Sequence, residues 1–206
     1  MTADIMRDPV AGDSGPRQDG AVVANVPEAP AAVVAPVDPA SSAFAVLVTA
    51  EDTKAWGRRL GRALRIGDVV GLVGPLGAGK TTLTQGIAEG MEISAHRHVA
   101  SPTFALVNEH PGRVPLLHAD LYRVASAAEL VELGLDEAFD RTASVIEWLD
   151  RFPSAAPADH LRVTISIGPD GARRLDWHAS GPASRRVADA IAFRVLVPSP
   201  TNVGEG

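Results

Sequence analysis

The stretch Gly74-Pro75-Leu76-Gly77-Ala78-Gly79-Lys80-Thr81 fits the pattern G-x-x-x-x-G-K-[ST], and no other segment limits the possible folds as sharply. A loop of this kind needs a strand before it and a helix after it, so that backbone N–H groups converge in front of a helix N-terminus. The flanks agree, because Asp68–Val73 is a short apolar run of strand length and Thr81–Met91 has helical patterning. Glycines let successive amides turn inward as an anion-binding nest. Leu76, Gly77, Ala78, Gly79, Lys80, Thr81 and Thr82 are therefore expected to bind nucleotide phosphates, with Lys80 on the β- and γ-phosphates and the Thr81 hydroxyl on Mg²⁺.

Lysine usage points the same way. The chain has 17 arginines but only two lysines, Lys54 and Lys80. Where any cation serves, this sequence uses Arg; a lysine stands where a compact point charge must fit inside the loop. The shortage also argues against guanine recognition by an N/T-K-x-D segment, since no lysine follows Lys80. A nucleotide with Mg²⁺ is the expected ligand pair.

Around the loop, the patterning is that of an alternating α/β domain, a single P-loop NTPase-like unit with a central mixed sheet flanked by helices. Phe44–Val48 reads as a strand, and Thr49 caps a helix to about Leu64 in which Trp56, Leu60 and Leu64 share a face. Strands are expected at Phe104–Glu109 and Val114–Asp120, around the turn Pro111-Gly112-Arg113. Ser126 and Glu129 form a capping box for a helix ending at Gly134. Ala143–Trp148 is an apolar strand, Leu161–Ile167 and Arg173–His178 form a hairpin, and a last helix starts near Ser184.

The domain is expected over residues 44–197, with a frayed end at 198–206. Residues 1–43 hold six of the 16 prolines, ten alanines and no aromatic residue, so they are expected to be a disordered tail. A partner-binding polyproline segment is the other reading of that tail, its partner unidentified. Of the formal charge of −6, the tail carries −4, since it holds six acids against Arg7 and Arg17. A domain near −2 without a basic stripe is a poor match for direct nucleic-acid binding. No cysteine is present, which excludes thiolate metal sites and disulfides. The longest apolar run is far short of the roughly 20 residues a membrane helix needs, and Met1–Val10 lacks the apolar core of a secretory signal. A soluble, cytoplasmic protein without membrane contact is expected.

Phosphoryl transfer needs metal support and a group that orients the nucleophile. Asp120 ends the run Leu116-Leu117-His118-Ala119-Asp120, and Glu147 ends Val145-Ile146-Glu147. Carboxylates at the C-terminal ends of neighbouring strands, facing the loop after a third, suit a shared Mg²⁺–nucleotide site. Thr81, Asp120 and Glu147 are thus the candidate metal residues, and Lys80, Asp120, Glu147 and Thr103 the candidate catalytic ones. Thr103 belongs to Ser101-Pro102-Thr103, placed where a γ-phosphate-sensing switch often lies, although a plain proline turn fits as well. Trp148 adjoins Glu147 and either contacts the nucleotide or packs in the core. His96 and His98 lack a third ligand nearby and read as a solvated loop. A P-loop small-molecule kinase, with Arg173, Arg174, Arg185 and Arg186 as lid arginines, and a nucleotide-gated binding module with negligible hydrolysis are the competing readings.

Taken together, Leu76-Gly77-Ala78-Gly79-Lys80-Thr81-Thr82, Ser101-Pro102-Thr103-Phe104, His118-Ala119-Asp120-Leu121-Tyr122-Arg123, Glu129-Leu130, Leu133-Gly134-Leu135 and Glu147-Trp148 resemble the bacterial TsaE (YjeE) family. The resemblance covers about residues 49–180. It implies a small ATPase of tRNA threonylcarbamoyladenosine biosynthesis that works with TsaB and TsaD, weak alone, while TsaD modifies adenosine 37 of tRNAs reading ANN codons. It further implies that tRNA is contacted only through that complex. Three positions depart from the family pattern: Pro75 replaces an Asp, Ala119 replaces an aromatic residue, and Leu149 stands where Pro is common.

Overall fold

Val69-Val70-Gly71-Leu72-Val73 has no polar side chain, and such a run is stable only where both of its faces are covered. In the computed structural model, which describes residues 33–35, 43–94, 99–102 and 105–192, it forms the fourth strand from one edge of the sheet. The elements in chain order are β1 (Val33–Ala35), β2 (Ala43–Leu47), α1 (Ala50–Ala63), β3 (Val69–Val73), α2 (Lys80–Gly90), β4 (Val107–His110) and β5 (Leu116–Asp120). They continue with α3 (Ala127–Glu132), α4 (Leu135–Phe139), β6 (Ala143–Glu147), a 3₁₀ turn (Pro153–Ala155), β7 (Leu161–Ile167), β8 (Arg173–Ala179) and α5 (Pro182–Ala192). The sheet order is β1-β2-β8-β7-β3-β6-β5-β4. Strands β7, β3, β6 and β5 run parallel, and the remaining pairings are antiparallel. This is the α/β architecture with a mixed sheet that the sequence predicts.

Alternation along the strands divides the core in two. Val70, Leu72 and Val145 point to one face, where Leu60 of α1 and its C-cap Leu64, Leu83 and Ile87 of α2, and Val187 and Ile191 of α5 cover them. Val69, Leu117, Ala119 and Ile146 point to the other, under Leu130 of α3 and Leu135, Ala138 and Phe139 of α4. Trp56 of α1 meets Trp177 of β8 with ring centroids 5.3 Å apart and tilted, a geometry worth about 0.5–1.5 kcal/mol beyond area burial.

Several local expectations are sharpened. Thr49 caps α1 in a reciprocal box: Asp52 N–H donates to its hydroxyl at 3.0 Å, and its own N–H donates to the Asp52 carboxylate at 2.8 Å. At Ser126 the box is offset, because the Glu129 carboxylate accepts from Ala125 N–H instead. Gly134 does more than stop α3; at φ 61° it is also the N-cap of α4, a helix the sequence pattern does not predict. The strand expected from Phe104 begins only at Val107, since Leu106 sits at φ 60° and its N–H closes a turn onto Pro102 O. Strand β1 lies within the stretch expected to be a tail; its backbone pairs with β2, which would otherwise be the sheet edge. Ala43 opens β2, and residues 1–32 and 36–42 of the expected tail, His96, His98, Thr103 and residues 193–206 lie outside the described residues. Among the described residues no helix is long and apolar enough to cross a membrane.

Two constraints hold the helices that carry the site. Helices α1 and α2 touch backbone to backbone through Gly57 and Gly61 on one side and Gly86 and Gly90 on the other. A Cβ at Gly61 would lie 2.1 Å from Ile87 O, and one at Gly86 would lie 2.3 Å from Lys54 O. Separately, Asp159 caps α5 from a distant loop, accepting from Ala183 N–H at 2.8 Å and Ser184 N–H at 3.0 Å. Burial pushes this carboxyl up, but the Ser184 hydroxyl and the two amides outweigh it and hold it below its ordinary range.

Gly61→Ala should therefore cost about 1–3 kcal/mol, roughly 2–10 °C in Tm by thermal unfolding; an unchanged Tm would show that the helices do not touch there. Asp159→Ala should lose about 1 kcal/mol at neutral pH. A depressed carboxyl stabilises the fold above its unfolded pKa, near 3.8, and stops doing so as pH falls through its lower folded value. The Tm gap between wild type and Asp159→Ala should accordingly close only in acid, below about pH 4. A gap that persists at pH 2 would rule the cap out as its origin.

Candidate functional site

The register of the parallel strands sets the site. Leu72 of β3 pairs with Glu147 of β6, and Glu147 pairs with Asp120 of β5, so three strand ends stop level with one another. The glycine loop leaves β3 at Gly74 and turns into α2 at Lys80. Gly74, Gly77 and Gly79 have φ of 152°, 77° and 105°, conformations that side chains resist. A Cβ on Gly74 would also lie 2.5 Å from Ile165 O of β7. Gly79 caps α2 without a side-chain acceptor, so the helix N-terminus presents its first amides and its partial positive charge to the loop.

A cleft of about 440 Å³ opens in front of these ends. It is lined by Leu76, Gly77, Gly79, Lys80, Thr81, Thr82, Ser101, Asp120, Tyr122, Glu147 and Trp148. Of the described residues expected at the site, Ala78 alone does not line the cleft: it is fully buried in the core beneath the loop. Ser101 reaches the cleft because Gln85 of α2 donates to Val99 O at 3.1 Å and ties this segment down.

Lys80 is nearly buried. Its ammonium donates to Gly74 O at 2.7 Å and Pro75 O at 3.0 Å and lies 3.6 Å from the centroid of the Trp148 ring. Burial pulls this amine below its ordinary range, against the opposing pull of Glu147, Asp120 and Asp150. Asp120 is held from two sides, by the Ser101 hydroxyl and by Tyr122 N–H at 2.9 Å.

Glu147 is 1% exposed and carries the densest network. Thr81 Oγ1 donates to Oε2 at 3.1 Å, Thr84 Oγ1 lies 3.2 Å from Oε1, and His118 Nε2 lies 2.9 Å from Oε1. A buried carboxylate persists only with such partners. The sequence assigns no role to Thr84 or His118, although His118 opens one of the segments that carry the family resemblance. The signal available was weak: Thr84 falls one turn after Lys80 on the same helix face, and His118 two residues before Asp120 on the same face of β5.

Trp148 is half-buried and stacks against Tyr122 with centroids 4.8 Å apart. Its φ of 61° is a left-handed conformation that costs a bulky residue about 1–3 kcal/mol. The turn drops Leu149 into the core, where its methyl occupies the place a Cβ on Gly71 would take, 2.0 Å away. The ring thus lines the cleft while also packing against the core layer beneath α3 and α4.

Chemically, the cleft joins one ammonium and a set of free-standing amides to oxygen donors only. Thr81, Asp120 and Glu147 suit a hard cation such as Mg²⁺, which takes one or two protein oxygens and completes its shell elsewhere. Among the described residues, no three or more His, Cys, Asp or Glu converge into a metal cage. None of Arg173, Arg174, Arg185 or Arg186 lines the cleft; Arg174 pairs with Asp176, and Arg186 with Asp68 and Ala63 O.

Comparison with known proteins bears on family and fold. The protein-family model described as "Threonylcarbamoyl adenosine biosynthesis protein TsaE" matches residues 47–175. Relatives named tRNA threonylcarbamoyladenosine biosynthesis protein TsaE include one from Treponema pallidum, 38% identical over 62% of this chain and 93% of its own length. The Nostoc relative is 37% identical over 72% of this chain and 91% of its own, and the Bacillus subtilis relative 39% identical over 65% and 84%. The crystal structure of Bacillus subtilis YdiB superposes with a TM-score of 0.61 at 28% identity, covering 78% of this chain and 96% of that one. With the family match spanning the loop, both carboxylates and the strands that align them, the chain belongs to the TsaE family of threonylcarbamoyladenosine biosynthesis.

Proposed function

We propose that this protein is the Mg²⁺-dependent ATP-binding and ATP-hydrolysing member of a cytoplasmic tRNA-modification complex, required for threonylcarbamoylation of adenosine 37 in tRNAs reading ANN codons. One observation carries the reading: a glycine loop, its lysine and two strand-end carboxylates meet in a single cleft. The partners are TsaB and TsaD homologues, and RNA is held by them. The charge of the chain supports that division, since residues 44–206 carry 17 bases against 19 acids.

The residues divide the work. The loop amides and Lys80 hold the phosphates, and Lys80 exchanges its two carbonyl partners for phosphate oxygens. Thr81 donates a hydrogen bond from its hydroxyl to Glu147, which leaves its oxygen lone pairs for the cation. Bound Mg²⁺ supplies neutralisation of charge on the phosphate oxygens. Asp120, fixed by Ser101 and Tyr122 N–H, and Glu147, fixed from three sides, support the cation and orient water. Trp148 shields the Lys80 ammonium from solvent. Thr103 is the proposed switch residue that senses the γ-phosphate.

Lys80→Ala should weaken ATP binding about 10–100-fold by fluorescent-nucleotide titration, the range of one or two charge-assisted hydrogen bonds. Glu147→Gln should bind ATP within about threefold of wild type while hydrolysing it at least 10²-fold more slowly. Undiminished product formation by this variant in the complex reconstituted with TsaB and TsaD homologues would point to a nucleotide-gated binding module instead, and undiminished hydrolysis would remove Glu147 from the catalytic set. In reconstitution with TsaB and TsaD homologues, tRNA and ATP, multiple-turnover product formation should need this chain and fail with Lys80→Ala. Indifference to the chain would remove the assignment, as would tight, salt-sensitive tRNA binding by the chain alone.

A further inference from the structure

His118 is fully buried, and its two ring nitrogens differ sharply in what they meet. Nε2 lies 2.9 Å from Glu147 Oε1, whereas Nδ1 has no hydrogen-bond partner among the described residues. Only one neutral tautomer is compatible with this surrounding, the one with its proton on Nε2. The other would press a lone pair against the carboxylate and bury an N–H with nothing to receive it. Thr84 approaches the same carboxylate oxygen at 3.2 Å, but its hydroxyl is also 3.0 Å from Lys80 O, so its single proton is divided between two acceptors. Oε1 is therefore taken up from below by His118 and Thr84, and Oε2 alone meets Thr81 at the floor of the cleft.

We propose that His118, assisted by Thr84, is a positioning residue: it turns the Glu147 carboxylate so that Oε2 faces Thr81 and the reacting groups. The inference rests on the ATPase reading of the cleft. His118 touches no phosphate site itself and acts through Glu147. It sits on β5 two residues before Asp120, so one strand supplies a carboxylate to the cleft and the brace for its neighbour.

The test uses the full chain. His118→Leu removes the donor, and His118→Gln places an amide N–H near the position of Nε2. His118→Leu should lower kcat for ATP about 10–100-fold with KM and nucleotide affinity within about threefold of wild type, and His118→Gln should recover most of that loss. Because the effect passes through Glu147, the double variant His118→Leu/Glu147→Gln should be no slower than Glu147→Gln alone. Thr84→Val, which keeps the side-chain shape, should give a smaller loss of the same kind and serves if His118→Leu does not fold. Equal losses in the Leu and Gln variants, additivity in the double variant, or a parallel fall in nucleotide affinity would each overturn the proposal. A readout independent of turnover is the ring tautomer of His118 by ¹⁵N NMR, assigned from His118→Gln: a proton on Nε2 is expected, and a neutral ring protonated on Nδ1 would overturn it. If wild type hydrolyses no ATP, the ATPase reading fails, whereas the tautomer still decides whether His118 braces Glu147.

Discussion

The parallel pairing of β3, β6 and β5 is the constraint from which the rest follows. It brings the start of the glycine loop, Glu147 and Asp120 to one level, with residues 72, 147 and 120 side by side across the sheet. A slip of one residue would turn Glu147 to the opposite face, into the layer of Ile146 and Ala119, where no donor awaits it. Both faces of these strands are packed with apolar side chains, so the hydrophobic core enforces that register. The polar site therefore inherits its precision from apolar packing beneath it.

Buried polar groups complete the frame at some cost. His118 leaves Nδ1 without a partner among the described residues, and Trp148 holds an unfavourable backbone conformation. Each is of the order of 1–3 kcal/mol, a sizeable part of a typical domain's stability. Both lie within one residue of contact with Glu147, and both follow from bringing that carboxylate to the cleft. The apolar burial in α1, α2 and the sheet interior offsets these two costs.

Much of this was legible in the sequence because the relevant signals are local. Glycine spacing specifies the loop, doubly buried strands read as apolar runs, and Asp120 and Glu147 stand where such runs end. What the pattern hid depends on convergence or on a single backbone torsion. Thr84 looks like an ordinary mid-helix threonine and His118 like one polar residue in an apolar strand until Glu147 arrives between them from a distant segment. Gly134 announces a helix end, and nothing local says that the same residue opens α4. The left-handed Leu106 and Trp148 carry no compositional signature, yet the first delays β4 and the second decides which way an indole faces.

The glycine contact between α1 and α2 has a dynamic consequence. With Gly86 and Gly90 seated on the carbonyls of Lys54 and Arg58, α2 has no room to slide or roll alone. The two helices form one rigid body, tied at the surface as well by Arg58 between Glu51 and Glu89. Whatever enters the cleft cannot be met by a shift of the helix that bears Lys80 and Thr81. Adjustment is left to side chains and to the few hinge-like torsions between Gly74 and Gly79, so the floor of the site stays fixed and only its lip yields.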